Sequence, residues 1–196
     1  NREGATWQMW HDVGNAYNSL LIQVGKRQAQ SELVESLRSA MRRAWLRTAE
    51  ILEGLLRGRK PEGQPTLALA YRHVAHSLAV GQRLPDAFVA INRAMALIEP
   101  FRNDTTKIFT VLDVELMYGM LLNTADRARE AEVVLREVLR QAEAGLQPLK
   151  AYLRRQPQRR RPEFEVVAKE DEALLRDVAF DASKYLGEVL FNQGKF

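Results

Sequence analysis

The stretch Trp10-His11-Asp12-Val13-Gly14-Asn15-Ala16-Tyr17 decides how this chain is read. Trp10, Val13, Gly14 and Tyr17 are spaced so that a helix carries them on one face. The missing side chain at Gly14 lets that face approach a neighbouring helix, and the larger residues fill the space beside the contact. A second stretch repeats the face as Tyr71, Val74, Ala75 and Leu78; Ala87, Ile91 and Ala94 follow, and Pro100 closes the unit. A third reads Tyr118-Gly119 and Leu122, then Ala131 and Leu135. A fourth begins at Leu186-Gly187, with Leu190, Gly194 and Phe196.

A helix pair of this kind cannot bury its apolar face alone, so pairs must stack. The quoted residues resemble the opening pattern of the tetratricopeptide repeat (TPR) family, with Val13 in place of the family's leucine. The resemblance implies an all-α fold, a right-handed superhelix of antiparallel helix pairs, and binding of other proteins. The small residues step by 61 (75 − 14), 44 (119 − 75) and 68 (187 − 119). A plain array steps by about 34, so helix extensions and loops must hold the surplus. The expectation is one domain with repeat pairs at about 6–57, 66–99 and 104–143, a basic loop at about 145–162 and a partial fourth repeat at 163–196. Opening on Asn1 and stopping inside a motif, the sequence reads as a piece of a longer polypeptide, and its Arg/Ala/Leu-rich composition as bacterial.

With 196 residues, 46% hydrophobic and 28% charged, the chain is long enough to bury a sizeable core. The absence of cysteine removes disulfides, thiolate catalysis and Cys-ligated zinc together. No run of about 18 apolar residues is present, so no membrane span is expected. Composition names no compartment, and a cytoplasmic one is favoured.

Along the chain, Thr6 to Val24 reads as a helix and Gly25-Lys26-Arg27 as a turn. Leu33, Leu37, Ala40, Met41, Ala44, Trp45, Ala49 and Leu52 keep helical spacing, with a break offered near Ser36–Ser39. Gly58 to Pro65 reads as a loop. Thr66–Val80 and Pro85–Ile98 form the next pair, Pro85 sitting in a first turn where its missing N–H costs nothing. Asn103-Asp104-Thr105 offers cap oxygens to a helix reaching Leu122, and Thr124–Glu143 completes that pair. Leu146, Leu149, Tyr152 and Leu153 suggest a short separate helix, and Glu163–Asn192 one long helix.

Phosphate-loop, dinucleotide-binding and zinc-protease signatures are all absent, and the chain is read as a non-enzyme without cofactor or metal. His73 and His76, three residues apart, share a helix face and are a credible ligand pair. No acidic residue stands in register with them and His11 lies on another repeat, so they are read as polar groove residues.

In TPR arrays the first helices line the concave surface. Carried onto this chain, the resemblance implies a partner-binding groove of Gln8, His11, Asn15, Asn18, Leu69, Arg72, His76, Asp113, Leu116, Met120, Asn123 and Lys184. The mixture suits an extended peptide: amides for its backbone, Arg72 for a carboxylate, Leu116 and Met120 for an apolar side chain. The formal charge of +4 is unevenly spread, with Arg154, Arg155, Arg159, Arg160 and Arg161 close together. One alternative makes that cluster a contact for nucleic acid or another polyanion. Nearby Glu163, Glu165, Glu170, Asp171 and Glu172 instead favour a solvated loop neutralised locally. Another alternative is a regulatory sensor with a small ligand in the groove. Finally, Leu186, Leu190, Phe191 and Phe196 form an apolar stripe, and the expectation is self-association through this last helix or its folding back on the body of the chain.

Overall fold

The computed structural model describes residues 2–25, 31–57, 64–154 and 162–195. Among them are seven α-helices and no strand, so the chain is all-α as its periodicity predicts. It divides into two compact units, Asn1–Pro100 and Phe101–Phe196.

In the first unit α1 (Arg2–Gly25) packs on α2 (Ser31–Leu56), α2 on α3 (Gln64–Val80) and α3 on α4 (Leu84–Ile98). The sequence of α2 accounts for its length. Met41, Ala44, Trp45, Thr48, Ala49 and Leu52 recur every three or four residues and all are buried. The break offered at Ser36–Ser39 does not occur. Ser39 is held within the helix by a hydrogen bond from Arg43 Nη1 at 2.8 Å, and α2 runs unbroken from Ser31. Residues 26–30 and 58–63, where the turn after Gly25 and most of the glycine-rich loop were expected, lie outside the described residues. Pro85 stands in the first turn of α4, as its missing N–H requires.

The second unit holds α5 (Ile108–Thr124), α6 (Ala128–Leu153) and α7 (Pro162–Asn192), with α6 packed on both others and α7 also touching α5. α5 is apolar on nearly every side, from Val111 and Leu112 to Leu121 and Leu122, and is accordingly buried on nearly every side. The Asp104 carboxylate does not cap α5. Its Oδ1 accepts from the Thr106 N–H at 2.9 Å and hydroxyl at 2.7 Å, a local turn that competes with capping, and α5 starts only at Ile108. The segment 146–153 is not a separate helix either. α6 continues through Pro148 to Leu153. Ala142 and Leu146 are buried on one stripe with Ala131, Leu135 and Val138, and that continuous burial outweighs the hydrogen bond the proline forfeits.

A register recurs along the chain. α3, α5 and α7 each end on a residue in the left-handed region: Gln82 at φ 57°, Asp126 at φ 56° and Gly194 at φ 66°. Each end is closed by the same two bonds. Gln82, Asp126 and Gly194 N–H groups donate to Ala79, Asn123 and Phe191, and the following Arg83, Arg127 and Lys195 donate to Leu78, Leu122 and Leu190. Seven residues before each left-handed residue stands a small one: Ala75, Gly119 and Gly187. Five after the first two stands a fully buried alanine, Ala87 or Ala131. Arg83 and Arg127 each pair with an acid in the next helix's first turn, Asp86 and Glu130. One helix–turn–helix sentence is thus written more than once.

Candidate interaction cleft

The described residues of α1 bury little besides Gly14, and that glycine explains how the helix is held. A Cβ there would fall 2.6 Å from Cε2 of Trp45, so α1 lies directly on the buried indole of α2. On α3, His73 stacks on the same indole, centroids 4.1 Å apart and planes within 9°. His11 of α1 meets Trp45 edge-on at 5.0 Å and His73 at 5.8 Å, and Trp7 meets His11 at 6.2 Å. Four rings therefore tie three helices together.

The packing leaves His73 and His76 neutral. His73 is pushed down to about 2, first by burial and then by the charges of Arg72, His11 and His76. His76 is pushed down to about 4 by burial and Arg72. Among the described residues no group of three or more His, Asp or Glu is placed to hold a metal ion.

Beside the ring cluster lies a cleft of about 420 Å3. Trp7, Gln8, His11 and Asp12 form its α1 wall, Thr48 and Leu52 of α2 its back, and Thr66, Leu69 and Ala70 its α3 wall. Of the groove residues expected from sequence, Gln8, His11 and Leu69 meet here. Asn15 sits one turn on, its amide nitrogen 3.3 Å from His11 Nδ1. Asn18 is half-exposed further along α1; Arg72, half-exposed, places Nη1 3.4 Å from His73 Nδ1, and His76 is half-buried.

No known family, curated protein or solved structure matches this chain. Geometry carries the functional reading.

The remaining expected groove residues belong to the second unit. Asp113, Met120 and Asn123 are half-exposed on α5, and Lys184 is exposed on α7 with Nζ 5.0 Å over the Tyr185 ring. Leu116, expected in the groove, is instead core at 3% exposure, because α5 is packed where a first repeat helix would show a groove face. Arg154 is exposed at the end of α6, and Arg155, Arg159, Arg160 and Arg161 lie outside the described residues. Trp7, Asp12 and Thr66 were not foreseen in the cleft. The signal for Trp7 was its place four residues before His11, which puts both on one face of α1.

Proposed function

We propose that the chain is a non-catalytic interaction module of TPR type, which takes an extended segment of a partner protein along the α1–α3 face. The cleft that gathers Gln8, His11 and Leu69 from two first-position helices carries this reading. The recurring register of small residue, left-handed helix end and buried alanine supports the TPR part of it. Gln8 and Asn15 offer amides to a peptide backbone, Trp7 and Leu69 an apolar seat, and Arg72 a charge for a carboxylate.

The test is a displayed peptide library selected on the whole chain. Enriched peptides should lose binding to the Asn15→Ala, Arg72→Glu double variant while its melt stays unchanged. Reversing Arg159, Arg160 and Arg161 to Glu should change little. Failure to enrich any peptide, or enrichment blind to the double variant, defeats the reading. If the arginine reversals matter most and affinity falls steeply with salt, the polyanion reading replaces it.

A further inference from the structure

The second unit holds a larger cleft, about 790 Å3, between the residues leading into α5, the middle of α6 and the first half of α7. That volume suits a drug-sized organic molecule. Phe109, Val111, Leu149 and Leu175 give it an apolar lining. α6 and α7 meet tightly at its wall, where a Cβ on Gly145 would stand 3.0 Å from Leu175 Cδ1.

Charge in the wall is matched except at one point. Glu115, 7% exposed, takes Arg102 at 3.2 Å. Glu137 takes Arg140 through Nε at 2.8 Å and Gln141 through Nε2 at 2.6 Å. Asp171 is exposed at the cleft and has no hydrogen bond or ion pair among the described residues. Three carboxylates against two guanidiniums leave one negative charge over, in a chain whose formal charge is +4. An apolar seat with one unmatched carboxylate at its edge complements a hydrophobic body bearing one positive charge.

We propose that this cleft binds a small hydrophobic cation, its apolar body against Phe109, Leu149 and Leu175 and its amine or guanidinium on Asp171. None of the residues assigned to the peptide face lines it, so the two sites stand or fall separately.

The experiment is calorimetric titration of the full chain with matched sets of amines, alcohols and carboxylates on common apolar scaffolds, naphthylmethylamine, naphthylmethanol and naphthoate among them. Amines should bind tightest and carboxylates weakest. Asp171→Asn should weaken amines about three- to five-fold, the worth of an exposed ion pair, and leave alcohols unchanged. Ala144→Trp, which fills the cleft from an exposed position on α6, should abolish both, with Ala144→Met as the milder filler should the tryptophan disturb folding. Asn15→Ala with Arg72→Glu should leave the titration intact. The proposal is overturned if amines bind no tighter than alcohols, or if amine binding ignores Asp171→Asn or the filled cleft.

Discussion

At Gly14 a methyl group would overlap the Trp45 ring, and at Gly119 it would fall 2.8 Å from Leu135 Cδ2, while at Gly187 nothing lies within 4 Å. Three glycines in one sequence pattern thus face different futures on substitution. Gly14→Leu or Gly119→Leu should destabilise by about 1–3 kcal/mol through overpacking, with Gly14 the worse because a buried indole yields less than a leucine. Gly187→Ala should instead stabilise by about 0.5–1 kcal/mol, the ordinary gain of alanine over glycine inside a helix. Thermal melts of the three variants decide it, and equal losses at all three positions would refute the contact assignment. The histidines set a second residue-scale expectation. Folded His73 and His76 bind protons at about 2 and about 4, against about 6.5 for an ordinary histidine. Below pH 6.5 the unfolded chain therefore takes up protons the native one refuses. Their contribution is complete above that pH and lost as pH falls, by about 1.4 kcal/mol per unit for each histidine until its folded value is reached. Melting temperature should drop between pH 7 and 5, before the carboxylates titrate. His73→Phe, which keeps the stack on Trp45, should flatten that slope; an unchanged slope would mean the ring is not held neutral.

At the scale of elements, the helix ends carry identical hydrogen bonds on unequal residues. Gly194 adopts its positive φ without cost, Asp126 tolerates it and Gln82 is strained by it. Gln82→Gly should raise stability by about 0.5–1 kcal/mol and Asp126→Gly by less, the freer unfolded glycine chain offsetting part of the relief. A chemical-denaturation series measures this, and a loss at Gln82 would show that its side chain, not its backbone, holds the turn. These ends also mark how far the sequence was legible. The long apolar stripe of α2 could be read residue by residue because burial and periodicity coincide from Met41 to Leu52. The end of α6 could not be read, since local propensity at Pro148 argues for an end where burial of Leu146 on the continuing stripe argues against one. Asp104 misled for the opposite reason: the carboxylate found a nearer partner in Thr106 than in the helix it was expected to cap. Leu116 could not be placed, because the pattern that identifies a groove position says nothing about what packs over it. Gln8, His11 and Leu69 line one cleft together, as the register of their own helices allows.

On the scale of the whole molecule, what matters is which large apolar side chains are exposed to solvent. α7 keeps Val166, Phe180 and Phe191 at 59%, 70% and 73% exposure. They are separated by 14 (180 − 166) and 11 (191 − 180) residues, close to whole numbers of helical turns, so they form a line along one side of the helix. A straight stripe on a helix is self-complementary about a two-fold axis. Set antiparallel with the axis level with residues 178–179, two copies would bring Val166 of each against Phe191 of the other and the two Phe180 rings together. That self-complementary line of apolar side chains favours a second copy against it. Sedimentation of the chain should therefore show a concentration-dependent monomer–dimer equilibrium. Phe191→Glu and Phe180→Glu should each shift it to monomer without lowering helix content. Dimers that survive both phenylalanine changes would place the interface elsewhere. A chain that stays monomeric at every concentration, with α7 still helical, would mean that the exposed stripe is not an interface between copies.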